Sequence, residues 1–325
     1  MKEKRIDYLD MVRGICILYM IAGHIGFQNQ YFSRYIHAFH MPLFFIIAGF
    51  FYKQKDISIS QFFIKNIKKV LLPYFFWAIL FVIFDKYTSI GPNYGLKNNL
   101  HTIFTYNNQD MPIAGALWFL TSYFFSISIF YTLNKVLKKE YWLGIISFLI
   151  FIIGIHLKNT FNIELFWSLN PALVGVGLIY IGFFIKKRNL MPFFYIKNNL
   201  ILLFTIVIHL ISNILTNDVN MRLGDYPLMI LFIINVLLSF MVYISISIRV
   251  MNIQICRIFN NWIMLNGKES MILLCLNEFI IAFVRKIIFH NYSIANILIF
   301  IVSIIILTFL TIIIKNSKVK FLFGK

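Results

Sequence analysis

Three side chains are chemically out of place in the first long apolar run, RIDYLDMVRGICILYMIAGHIG over residues 5–26: Asp10, Arg13 and His24. Polar groups at membrane depth are costly, and an intramembrane Arg or His marks function by default. On an α-helix the step from Arg13 to His24 is about three turns, or roughly 16 Å, so both project from one face. Asp10 stands one turn before Arg13, where its carboxylate can pair with the guanidinium and limit the cost of burying it. An imidazole moves a proton near neutral pH and a guanidinium grips an anion, so proton transfer within reach of an anion is the chemistry these types permit.

More histidines follow in YIHAFHMPLFFIIAGFFYK, residues 35–53. His37 and His40 fall at the edge of a second apolar run, and the short loop after His24 brings the two runs together as an antiparallel pair. Pro42 fits a first helical turn, where a missing N–H costs little, and Gly49 permits close approach of a neighbouring helix. Three histidines can hold zinc, but only when all converge with a supporting carboxylate; no metal is expected. His209, alone on a later run, reads as structural. Glu278, beside Asn277 inside a late run, needs a partner if ionised and otherwise stays neutral.

The elements that must position these groups are membrane helices. Hydrophobic residues make up 60% of the chain, charged ones 13%, and the mean hydropathy is +0.80. A soluble core could not hide so much Phe, Ile and Leu, and the apolar runs lack the alternation of barrel strands. Ten spans are expected, near 11–27, 36–52, 69–87, 113–133, 141–157, 165–185, 199–216, 227–248, 269–289 and 294–314, as one all-α transmembrane domain over 1–325. Of the 30 Lys and Arg, 22 fall on the side of the N-terminus and 7, Arg222 among them, on the other, with Arg13 inside the first span. That asymmetry puts both termini in the cytoplasm and accounts for the net charge of +18 without nucleic acid. The first run lacks a small-residue cleavage site and is expected to be retained. Cys16, Cys256 and Cys275 form no CxxC pair and read as packing residues. The connection from Thr88 to Pro112, rich in Gly, Pro and Asn, reads as a turn-forming cover over one opening. Ten spans with buried charges fit an enzyme and also a glycan transporter, flippase or export component, although the matching halves with broken helices that favour transport are not visible.

RIDYLDMVRGICILYMIAGH resembles the opening of the acyltransferase-3 membrane family, whose first helix carries an Arg, ten residues, then a His. FHMPLFFIIAGFF is similar to the branch of that family that includes fucose 4-O-acetylase-like enzymes. IKNIKKVLLPYFFW, ALWFL at 116–120 and YIGFFIKKR at 180–188 resemble later family pieces. In one place the chain departs: family members often carry Gly-x-x-Ser and, seven residues on, a His, whereas here Gly267 and Ser270 are followed by Asn277. Asn can hydrogen-bond a sugar hydroxyl but cannot act as a base, so that role stays with His24.

The resemblance implies transfer of an acyl group, usually acetyl from acetyl-CoA, to a sugar hydroxyl of a bacterial surface polysaccharide or its lipid-linked precursor, in the cell membrane. A composition rich in Ile, Asn and Lys fits an AT-rich bacterial genome. His24 would then be the general base or a transient acyl carrier. Arg13, held by Asp10, would bind the acyl-CoA, with Lys65, Lys68 and Lys69 meeting its phosphates at the cytoplasmic mouth. His40, Trp118, Asn277 and Glu278 would line the acceptor end, the Trp by stacking on a sugar face.

Overall fold

Among the described residues the expected apolar runs fold mainly as helix. The computed structural model describes residues 7–27, 29–88, 90, 95–107, 111, 113–216, 218–287 and 295–325; it is 81% helical, with no strand among the described residues. Lys2, Lys4, Arg5 and the turn formers Gly91, Pro92 and Pro112 lie outside that set.

Helix α1 (Asp7–Ile25) opens on Asp7 and Asp10, which suit the positive end of its dipole. It stops at Gly26, whose φ of +67° is the left-handed conformation that closes a helix without a Cβ penalty. The run expected as one span over 36–52 is instead broken. Helix α2 (Gln30–His37) is capped by Asn29, whose side chain accepts the Phe32 N–H. Phe39 then leaves helical geometry at φ −140°, and α3 (His40–Phe50) begins afresh. Eleven residues rise about 16 Å, half a hydrocarbon core.

The next helix starts earlier than expected because Ser58 and Gln61 form a reciprocal capping box. Helix α4 (Ile59–Asn66) runs through a π-helical turn, Ile67–Leu71, into α5 (Leu72–Thr88). The turn adjoins Pro73, which has no N–H to offer the Lys69 carbonyl four residues back. The connection expected as turns holds a further helix, α6 (Leu96–Phe104); its Ile103 is fully buried, and the Ile103 carbonyl accepts the Tyr74 hydroxyl at 2.6 Å and Trp167 Nε1 at 3.1 Å.

The rest are α7 (Trp118–Val136), α8 (Glu140–Asn159), α9 (Leu169–Lys187), the single turn α10 (Met191–Phe194), α11 (Asn199–Leu215), α12 (Met229–Met251), α13 (Arg257–Lys268), α14 (Ser270–Ile287) and α15 (Ala295–Lys315). Among the described residues, seven helical stretches are long and apolar enough to cross a membrane: Asp7–Ile25, Ile59–Thr88, Gly115–Val136, Glu140–Asn159, Phe166–Lys187, Met229–Met251 and Asn296–Lys315. The other three expected spans are α3, the 17-residue α11 and α14, which carries Asn277, Glu278, Arg285 and Lys286.

Helix α1 sits at the centre, against α3, α12, α13 and α14. The sequence reading treats α13 as a basic connection, yet it lies along α1 and buries Ile263, Asn266 and Gly267. A Cβ on Gly14 would strike the Ile263 backbone, and one on Gly267 would strike the Asp10 backbone, so this crossing exists only because both side chains are absent. Gly49 meets the Ile179 backbone of α9 in the same way. Around the outside, Leu200, Phe204, Ile305 and Phe309 are more than half exposed, as befits a surface solvated by lipid.

Candidate functional site

Helix α1 delivers Arg13 and His24 to two cavities. At the His24 end, the imidazole Nδ1 lies 2.8 Å from Glu278 Oε1 on α14. The second oxygen, Oε2, accepts the Gly115 N–H at 2.5 Å. A Cβ added to Gly115 would stand 3.0 Å from Glu278 Oε2 and 3.0 Å from Arg222 Nη1, so the guanidinium, the carboxylate and the bare glycine backbone share one small space. Glu278 therefore has the partners an ionised intramembrane carboxylate requires. Because Nδ1 faces a carboxylate, the natural tautomer carries its proton there and leaves Nε2 as an acceptor.

His24, His37, His40, Trp118 and Arg222 line a cavity of about 140 Å³. The three histidines do share it, with the His37 and His40 rings 5.7 Å apart. Among the described residues, however, no group of three or more His, Cys, Asp or Glu is arranged to hold a metal. His40 is also tied down structurally: its Nδ1 bonds the Ile36 carbonyl at 2.6 Å across the break between α2 and α3. Arg222 comes from the turn between α11 and α12. That turn is fastened by the Asn220–Asp225 backbone bridge and by a two-pronged pairing of Arg34 with Asp218 at 2.6 and 3.0 Å.

At the other end, Arg13 Nη1 is 3.6 Å from Asp10 Oδ1 and Nη2 donates to Ser270 Oγ at 2.9 Å. Gly267 and Ser270 thus act together. The glycine lets α13 touch α1, and the serine one turn later receives the guanidinium. Arg13 lines a cavity of about 570 Å³ whose rim carries Lys53, Lys55, Lys69 and Lys325. Burial, and then the like charges of Lys65 and Lys69, hold the Lys55 ammonium below its ordinary pKa. Lys65 and Lys68 are exposed beside the cavity and do not line it. The segment after α15 supplies part of the wall. Phe323 packs 4.9 Å from Trp77, Gly324 rests on the Lys69 carbonyl, and Lys325 Nζ bonds the Glu269 carboxylate and, at 3.0 Å, the Lys268 carbonyl.

Ile17, Phe44 and Phe119 face the Arg13 cavity, while Met20, Met41 and Trp118 face the His24 cavity. One layer of side chains divides them.

Asn277 does not stand where the sequence reading puts it. It is fully buried, lines neither cavity, and turns its Nδ2 back to the Leu274 carbonyl at 2.7 Å. Its neighbour Glu278 occupies the site instead. His209, expected to be structural, has its Nδ1 2.9 Å from Asn235 Oδ1. Sequence reasoning missed Arg222, counted only as a loop cation, together with Gly115 and Lys325. The signal for Arg222 was Glu278 itself, since a buried acid calls for a cation from an adjoining segment.

Lipid-facing helices around a polar, internally paired site define a helical integral membrane protein. The chain belongs to the acyltransferase-3 family: the family's acyltransferase-domain model matches residues 6–315, which makes it a membrane acyltransferase. No curated protein and no solved structure matches the chain.

Proposed function

We propose that the protein is an O-acyltransferase that moves acetyl from acetyl-CoA to a sugar hydroxyl of a bacterial surface polysaccharide or its lipid-linked precursor, in the manner of the fucose 4-O-acetylase-like branch. The observation that carries this reading is the His24 Nδ1 to Glu278 contact, 2.8 Å, in a cavity shared with Trp118 and on the helix that carries Arg13 into the second cavity.

In this reading the Arg13 end faces the cytoplasm. Arg13 and Lys69 bind the anionic part of the donor, with Lys53 and Lys55 beside them, and the thioester reaches toward His24 through the dividing layer. His24 Nε2 takes the proton of the acceptor hydroxyl as its oxygen attacks the thioester carbonyl. The imidazolium is balanced by Glu278, which also fixes the ring's orientation, the task of the carboxylate in acyl-transfer triads. The tetrahedral intermediate expels the thiolate of CoA, the proton on Nε2 passes to that sulfur, and the products are the sugar ester and free CoA. Trp118 offers a face for the sugar ring, and His40 and Arg222 border it.

The test is acyl transfer in vesicles supplied with acetyl-CoA and extracted cell-surface glycan. His24→Ala is expected to abolish product while the protein remains inserted and helical. Normal product from that variant would overturn the assignment. No transfer by the native chain, with no thermal stabilisation by CoA, would favour transport instead.

A further inference from the structure

A third cavity, about 640 Å³, lies between α8 and α9, away from both Arg13 and His24. Its walls are apolar: Ile145, Phe148, Phe151, Ile181 and Phe184. Phe148 is 53% exposed, so the groove opens to the surrounding lipid rather than into the bundle. Its mouth is different. Glu140 Oε2 lies 3.0 Å from Lys187 Nζ, and Glu140 Oε1 lies 3.2 Å from Arg188 Nη2. One carboxylate therefore aligns two cations, and Lys138 and Lys139 precede it in the chain. The charge left at the mouth is positive.

Two features set this mouth at headgroup depth. Tyr141 and Trp142, next to Glu140, are 68% and 50% exposed, as aromatic residues are at a membrane interface. From Glu140 to Phe151, α8 rises about 16 Å, about half of the hydrocarbon thickness. The groove is one leaflet deep. Because α7 starts with Trp118 at the His24 end and α8 returns from the far side, the leaflet is the one at the Arg13 end.

We propose that this groove is a binding site for a single acidic glycerophospholipid, with an acyl chain against Phe148 and Phe151 and the phosphate on Lys187 and Arg188. A zwitterionic lipid brings its own ammonium to a mouth already rich in cations and fits it less well. The site is separate from the acyl-transfer machinery and does not depend on that reading.

Native mass spectrometry of the full chain, released from nanodiscs holding equal amounts of phosphatidylglycerol and phosphatidylcholine, tests it. The native protein is expected to retain one phosphatidylglycerol severalfold more often than one phosphatidylcholine. Lys187→Gln with Arg188→Gln should bring the two to parity, and Glu140→Gln, which removes the competing anion, should strengthen the preference. Ile181→Trp, which fills the groove while leaving the mouth intact, should lose the tightly held lipid. Equal retention of both lipids by the native protein would overturn the proposal, as would an undiminished preference in Ile181→Trp. Should the double variant fail to fold, the Glu140 and Ile181 variants decide the matter by themselves.

Discussion

Glu278 changes what His24 can do. A lone histidine at the end of a membrane helix is as easily a packing residue as a base. With Nδ1 held at 2.8 Å by a carboxylate, which is itself held by the Gly115 N–H, the ring has a fixed orientation and a stabiliser for its charged form. Glu278→Gln keeps the shape and most of the hydrogen bonding but removes that stabiliser. It is expected to lower kcat about 10²-fold or more with the KM for acyl-CoA nearly unchanged, as steady-state kinetics would record. Arg13 is predicted to behave in the opposite way. It bonds Ser270 and pairs with Asp10, and Arg13→Lys retains the charge without the planar fork. Loss of a charged hydrogen bond is worth about 1.5–3 kcal/mol, so KM for acyl-CoA should rise roughly tenfold to a hundredfold while kcat changes little. A fall in kcat alone would place Arg13 in the chemistry instead.

At the scale of elements, the crossing of α1 and α13 sets the geometry of the Arg13 end. The Gly-x-x-Ser pattern has a mechanical meaning here. Gly267 brings the two backbones into contact at Asp10, and that contact places Ser270 within 2.9 Å of the guanidinium. Gly267→Val inserts atoms where the Asp10 backbone already stands. Overpacking of this kind costs about 1–3 kcal/mol, and pushing α13 outward also moves Ser270. The variant is expected to melt at a lower temperature and to weaken acyl-CoA binding, both readable in one thermal-shift titration. Ser270→Ala should weaken binding without the loss of stability, which separates the contact from the packing.

For the whole molecule, the arrangement of consequence is two cavities, about 570 and 140 Å³, on either side of one layer of side chains. In the proposed reaction, a donor beside Arg13 and an acceptor beside His24 meet across that layer. Phe119 belongs to it, packed 5.8 Å from Phe44 and 6.1 Å from Trp118. Phe119→Leu should widen the passage, so that acyl groups longer than acetyl transfer faster relative to acetyl. Competition between acetyl-CoA and butyryl-CoA in one reaction would measure the ratio, and an unchanged ratio would mean that the acyl group takes another route.

Much of this was legible in the sequence, and for a physical reason. Helix formation in lipid is dictated by apolar runs and by the need to satisfy the backbone within the segment, both local properties. The all-helical class and the Asp10–Arg13 pairing at i,i+3 therefore follow from spacing alone, as does the projection of Arg13 and His24 from one helix. Where local rules compete, the sequence misled: Phe39 breaks an apolar run that reads as continuous, and the polar α13 packs on α1 as tightly as an apolar helix would because two glycines let the backbones meet. What only the tertiary structure decided is partnership. Ser270 reaches Arg13 across 257 residues of chain, and Gly115 reaches Glu278 across 163. No spacing rule connects such positions, because helix packing rather than chain distance brings them together. The same packing chose Glu278 over its neighbour Asn277: adjacent residues on a helix project about 100° apart, and only the rotation of α14 against α1 determines which of them faces His24.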